Sequence, residues 1–149
     1  MTTWILVGDA SRAKLFTVEL PEQPWSLVEE FENASAHVTS KELSPTAPGK
    51  TKMSGSTRSR HTALEPRTTP KEAELERFVQ RLVDHLQLAA ARREFDRLVL
   101  VAPPHFLGLV HAKLDKQTAR QLAATIDKDL VMLADREIRE RLSDEVFAQ

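Results

Sequence analysis

The residues of this chain that are best suited to bind a charged ligand are cations gathered in one polar segment. Residues 34–71 carry seven Lys and Arg against two Glu, a net charge of +5, whereas residues 1–33 have a net charge of −4 and residues 72–149 of −2. Lys and Arg offer charge and hydrogen-bond donors to phosphate groups. The candidate RNA- or phosphate-binding residues are therefore Lys50, Lys52, Arg58, Arg60, His61 and Arg67.

These cations lie in a stretch, residues 34–69, that is called the basic segment below. It has neither helical nor strand periodicity and is rich in Gly, Pro, Ser and Thr. A connection of this length inside a compact domain is uncommon and is usually functional or disordered. The segment contains no aromatic residue, so stacking on single-stranded bases is not indicated. Phosphate or RNA binding, a contact with protein and the absence of a specific role all remain open.

Asp9 and His105 are two further candidates for a ligand site. Asp9 follows an apolar run that predicts a strand, and His105 follows the Pro103-Pro104 end of a second such run. In α/β folds, ligands bind outside the carboxyl ends of the strands. A turn and a helix start account for the same residue types, and a hydrolase that uses Asp9 and His105 is kept as an alternative.

The sequence offers little support for a catalytic metal, a cofactor or covalent catalysis. A nuclease that uses two metal ions needs several carboxylates at one point, but Asp9 follows one strand and Asp96 precedes another, at opposite ends. No pair of histidines has helical metal-ligand spacing, cysteine is absent, and the four glycines form no phosphate-binding fingerprint. We therefore expect no catalytic residues, no metal and no cofactor, and favour a protein that is not an enzyme.

The elements that position these residues begin with three predicted strands. Trp4–Val7 is a continuous apolar run that ends at Gly8, and residues 13–18 form a second strand after a turn. Trp25–Glu32 follows as a third strand with acidic residues, which suit the edge of a sheet. Short connections predict an antiparallel meander.

The second half of the chain predicts helices that alternate with strands. Thr69-Pro70-Lys71-Glu72 matches a capping box that starts a helix running to about Arg93, with an apolar stripe from Leu75 to Ala90. His85 is predicted to lie on the polar side of this helix. Arg97–Ala102 is a second buried strand, and a helix follows it. Residues 115–131 fit a strand or a helix; we favour a helical turn at 116–120 and a strand at 122–130. A last helix starts at Asp135, with Ile138, Leu142 and Val146 directed inward. The order βββαβαβα predicts one α/β domain over residues 1–149 with a mixed five-stranded sheet.

This order and these residues resemble the bacterial host attachment protein family over nearly the whole chain. The family is in turn similar to the middle domain of archaeal and eukaryotic class-1 translation release factors, which implies a ribonuclease-H-like fold. The matching stretches are Trp4–Phe16, Pro48–Lys50, Arg60-His61, Glu65-Pro66, Phe95–Pro104, Phe106–Gly108 and Asp127–Leu130.

In the release factors, the loop between the third strand and the first long helix carries a Gly-Gly-Gln tip that supports peptidyl-tRNA hydrolysis. The basic segment occupies the same position here, but Gly49 and Gly55 are isolated and no Gln lies between Ala34 and Thr69. The resemblance therefore implies that the basic segment is the functional loop, but it does not imply that this loop supports hydrolysis.

The function predicted from the sequence is RNA or ribosome binding through the basic segment. The alternative is a protein-interaction module in cell attachment. With no apolar run of membrane-spanning length, no signal peptide and no cysteine, the expected location is the cytoplasm, without membrane insertion.

Overall fold

The computed structural model describes residues 1–19, 24–34 and 69–147. The basic segment lies outside the described residues except for its two ends, Ala34 and Thr69. Five strands are described: β1 (Thr2–Gly8), β2 (Arg12–Glu19), β3 (Ser26–Glu32), β4 (Arg97–Ala102) and β5 (Leu122–Asp127). The helices in this part of the chain are α1 (Pro70–Ala91), α2 (Pro104–Lys113), α3 (Lys116–Arg120) and α4 (Asp135–Phe147).

The strands form one mixed sheet in the order β3-β2-β1-β4-β5. The pairs β1–β2 and β2–β3 are antiparallel, whereas β1–β4 and β4–β5 are parallel, so β2 alone among the five runs against the others. This confirms the predicted meander, the mixed sheet and the edge position of β3. It is the strand order and orientation of the ribonuclease-H-like fold that the resemblance implied.

Each face of the sheet is covered by helix, which explains the continuous apolar runs of the central strands. On one face, α1 and α2 pack on Trp4, Leu6, Leu98 and Leu100. On the other, α4 buries Ile138, Leu142 and Val146 against β1, β2 and β4. The three inward residues of α4 are those that the helical spacing of the sequence predicts.

Two boundaries differ from the prediction. Helix α1 ends at Ala91, two residues early, because Arg93 adopts a left-handed conformation with φ of 59°. The region 115–131 contains a short helix, α3, capped by Asp115, and then β5, as favoured. However, β5 ends at Asp127 rather than at residue 130, because Leu130 and Val131 leave the ladder and pack into the core beside α4. None of the helices within the described residues is long and apolar enough to cross a membrane.

Candidate functional site

The two ends of the basic segment leave the folded body at the same edge of the sheet. Strand β3 is parallel to β1 and ends at Glu32, beside Arg12 at the start of β2. Helix α1 runs from Pro70 toward β4, which starts at the opposite edge. Residue 34 and residue 69 therefore both lie at the carboxyl edge of the parallel strands, the place where α/β sheets bind ligands.

The first end of the segment is held by Asn33, which is only 7% exposed. Its backbone N–H donates to the Ser11 carbonyl at 2.9 Å, and its side-chain Nδ2 donates to the Ala10 carbonyl at 3.1 Å. Both acceptors lie in the turn between β1 and β2. The chain therefore enters the basic segment from a fixed point, directly against that turn.

The same turn is organised by Asp9. Its Oδ1 accepts hydrogen bonds from the backbone N–H groups of Ser11 at 2.8 Å and Arg12 at 2.9 Å. The Asp9 N–H donates to the Arg12 carbonyl at 2.9 Å. One carboxylate oxygen of Asp9 thus serves the local turn, which is the role that turn chemistry assigns to aspartate.

The second end of the segment is held by the cap of α1. Thr69 is the N-cap, and its Oγ1 accepts from the Glu72 N–H at 3.0 Å, as predicted. The capping box does not close as predicted. The Glu72 carboxylate instead contacts Nε2 of His105, with its two oxygens at 3.0 and 3.2 Å. A partner on another helix thus engages the carboxylate, and the start of α1 is joined to the start of α2.

Asp9 and His105 lie near each other because the end of β1 packs against the start of α2, but the two side chains are not in contact. A Cβ on Gly8 would lie 3.1 Å from Cζ of Phe106 and 3.2 Å from Cβ of Ala13. The end of β1 and the start of α2 therefore approach closely, and a side chain at position 8 would be crowded. Asp9 and His105 are each one residue from this contact, but Asp9 serves its turn and His105, 65% exposed, pairs with Glu72.

Helix starts contribute positive electrostatic potential to this edge. Helices α1 and α2 both begin at the carboxyl edge. The start of α4 is bound to β2 by an ion pair, in which Lys14 Nζ lies 2.8 Å from Asp135 Oδ1. Unpaired N–H groups at helix starts favour nearby negative charge. Acidic side chains lie in the same first turns, Glu72 in α1 and Asp135 and Glu137 in α4, so the helix starts do not give this edge a net positive charge.

The carboxylates of a metal-dependent nuclease do not converge. Asp96 lies at the opposite edge from Asp9 and accepts from the Thr2 N–H at 2.9 Å. Residues 1–19, 24–34 and 69–147 contain no group of three or more acidic or histidine side chains placed to hold a metal ion. Within these ranges there is no geometry for the two-metal chemistry that the sequence disfavours.

The six cations that the sequence nominates, Lys50, Lys52, Arg58, Arg60, His61 and Arg67, all lie outside the described residues. Their proposed role therefore stays a prediction. Near the two ends of the basic segment, the described cations Arg81 and Lys14 are bonded to groups of the protein itself. Arg81 Nη2 donates to the Glu32 carbonyl at 2.9 Å, and Lys14 also donates to the Leu133 carbonyl at 3.3 Å.

The sequence interpretation placed His85 on the polar side of its helix, and this was wrong. The ring of His85 stacks on Trp4, with centroids 6.1 Å apart and planes inclined by 22°, and meets the edge of Phe31 at 5.3 Å. Its Nε2 lies 3.7 Å from Glu29 Oε1. His85 follows Phe78 by seven residues and Leu82 by three, so its place at the border of the apolar stripe was readable from the spacing.

Comparison with known proteins places the chain in a family. Residues 4–142 match the model of a family described as "Protein required for attachment to host cells". The chain belongs to this family, as its sequence resemblance indicated. None of the curated proteins matches it significantly.

Among solved structures, the chain is similar to an archaeal translation termination factor, aRF1. The identity is 8% and the TM-score 0.45, over 85% of this chain and 30% of that one. A structure described as an archaeal protein shows 12% identity and a TM-score of 0.45, over 99% and 38% of the two chains. The Ppx/GppA phosphatase of Aquifex aeolicus shows 10% identity and a TM-score of 0.42, over 85% and 36%. The chain spans about a third of the length of these structures.

Proposed function

We propose that this protein binds structured RNA, free or in the ribosome, through the basic segment and without catalysing a reaction. The observation that carries the proposal is that the most positively charged segment of the chain has both of its ends at one edge of the sheet. The basic segment, with six Lys and Arg against two Glu, is attached at both ends to one edge of the sheet. Cations concentrated on one side of a folded body attract a polyanion more effectively than the same charges dispersed.

The attachment points support this function because both are rigid. Asn33 is buried and bonded through backbone and side chain, and Thr69 caps a helix of 22 residues. The Glu72–His105 contact further joins that helix to α2. A ligand that contacts the cations between these points would be held beside the carboxyl edge of the sheet.

The test is binding of tRNA and of purified ribosomes, measured by fluorescence anisotropy and co-sedimentation across a salt series. Binding should weaken steeply with salt, by about 0.9 in the logarithmic slope for each duplex phosphate contacted. The variant with Lys50, Lys52, Arg58 and Arg60 all changed to Ala should bind at least tenfold more weakly, with a shallower slope.

A matched control removes the same charge from the opposite edge. Arg92, Lys113, Lys116 and Arg120 lie at or beside the ends of α1, α2 and α3, at the edge opposite to Ala34 and Thr69. Their joint change to Ala should leave RNA binding within about twofold. Equal losses in the two variants would mean that only net charge matters, and an absence of RNA binding at low salt would refute the proposal.

The family description favours a second candidate function, a protein-interaction module in attachment to host cells. It differs in its ligand: association with a purified host or bacterial surface protein should persist after ribonuclease treatment and at high salt. If ribonuclease treatment abolished the association with the surface protein, the result would favour RNA binding instead.

A further inference from the structure

The outer edge of the sheet at β3 has features of a docking surface. Strand β3 is the last in the order β3-β2-β1-β4-β5, and its inner side pairs with β2 from Ser26 to Glu32. On its outer side, none of the described residues forms a further strand. Edge strands present a row of backbone N–H and carbonyl groups that an extended chain can pair with.

Apolar side chains on this edge are exposed as well. Leu27 is 38% exposed and Val28 is 46% exposed, and both belong to β3. The pairing register shifts between Leu15 and Phe16 on β2, so Val28 is the extra residue of a bulge. A cavity over the β2–β3 pair is lined by residues of both strands and by Val131 and Met132, so it lies on a face of the sheet and not outside the β3 edge.

The charge of the edge defines the chemistry of the partner. Glu29, Glu30 and Glu32 fall within four residues. Glu30 lies opposite Lys14 in the β2–β3 register, but the Lys14 ammonium is engaged by Asp135 and the Leu133 carbonyl. Within the described part of the chain, the Glu30 carboxylate has no ion pair or hydrogen bond. No cation in the described ranges therefore neutralises the Glu30 carboxylate.

The same charges disfavour a second copy as the occupant. Two β3 strands paired edge to edge would bring their carboxylates together, and like charges on paired strands destabilise the pairing. We propose that the β3 edge binds an extended, basic segment of a partner protein by strand addition, with its Lys or Arg side chains directed to Glu30. This interaction is independent of the proposed RNA binding, since an acidic edge repels a polyanion.

The experiment uses the full chain and a fluorescein-labelled ten-residue peptide that alternates Lys with Val. A control peptide of the same sequence is N-methylated at alternate residues, which removes donors for strand pairing and keeps the charge. Anisotropy should show at least tenfold weaker binding of the control peptide. In amide NMR spectra, the shifts caused by the first peptide should concentrate on residues 26–32.

Two protein variants distinguish binding at the β3 edge from nonspecific electrostatic attraction of the basic peptide to the protein. Glu30→Lys reverses the charge that the peptide meets and should weaken its binding at least tenfold. Glu140→Lys makes the same change on the exposed surface of α4 and should leave binding within twofold. Equal binding of the two peptides, equal losses in the two variants, shifts outside β3, or a wild-type dimer joined through β3 would each overturn the proposal.

Discussion

Nε2 of His105 lies 3.0 Å from Oε2 of Glu72, and this contact joins the starts of α1 and α2 at the edge where the basic segment re-enters the fold. Because the ring is 65% exposed, the contact resembles a surface ion pair, which contributes at most about 1 kcal/mol. Its role is better described as local restraint of the first turn of α1.

His105→Ala should therefore change local opening more than global stability. We expect the free energy of unfolding to fall by less than about 1 kcal/mol, while amide hydrogen exchange accelerates in the first turn of α1. Exchange in the last turn, before Ala91, serves as the internal control. Equal acceleration at both ends of the helix would contradict the restraint.

Gly8→Ala should destabilise the protein by about 1–3 kcal/mol, the usual cost of overpacking. The added methyl group would lie 3.1 Å from the Phe106 ring, which is buried and has little freedom to move. Gly108→Ala is the matched control on α2: its Cβ meets nothing within 4 Å, so alanine should stabilise the helix by up to about 1 kcal/mol. Urea unfolding measures both variants.

Asp9→Ala should lower the free energy of unfolding by about 1–3 kcal/mol, because two backbone N–H groups of the β1–β2 turn lose their acceptor. Asp9→Asn keeps an acceptor oxygen and should recover most of the loss. Thermal unfolding checks this series. A hydrolytic activity lost in Asp9→Asn while stability is unchanged would instead assign Asp9 a chemical role.

His85→Ala should cost about 1–2 kcal/mol, because the ring contacts both Trp4 and Phe31. Leu88→Ala, on the same helix at a position 51% exposed, should stay within about 0.5 kcal/mol. Similar losses in the two variants would show that the aromatic contacts of His85 contribute little. Urea unfolding at neutral pH provides the comparison.

Asp115 predicts a dependence of stability on pH. The Thr118 N–H, which donates to its Oδ1 at 2.8 Å, holds the pKa of this carboxyl below its ordinary value. A carboxyl with a lowered folded-state pKa stabilises the fold above its unfolded pKa, about 3.9, and loses that contribution as pH falls through the folded pKa. Asp115→Asn keeps the cap without titrating. The wild type should therefore lose stability relative to Asp115→Asn below about pH 4, and a constant difference would contradict this.

Most of the fold could be predicted from the sequence because its signals are local. The apolar run at Trp4–Val7, the cap at Thr69 and the inward spacing of Ile138 and Leu142 each determine one element, and the structure confirms them. The end of β5 was misplaced because Leu130 is buried by α4, a contact between distant elements that apolar spacing does not reveal.

The candidate site was less predictable for the same reason. The sequence indicated Asp9 and His105 singly, but the pairing of His105 with Glu72 crosses 33 residues and depends on how α1 packs beside α2. His85 was misassigned although its spacing from Phe78 and Leu82 places it at the border of the apolar stripe. Its stacking on Trp4 follows from the position of β1 beneath α1.

The central position of β1 has a consequence for the order in which the chain folds. Its pairing with β2 joins neighbours along the chain, whereas its pairing with β4 joins Thr3 to Arg97, 94 residues apart. Contacts of high sequence separation form slowly, since the intervening chain must first be brought together. During synthesis, the β1–β3 meander can assemble early, but the exposed side of β1 remains without its partner until β4 has emerged from the ribosome. We therefore expect incorrect strand pairing to begin at the unpaired side of β1, where β4 belongs, when synthesis stalls.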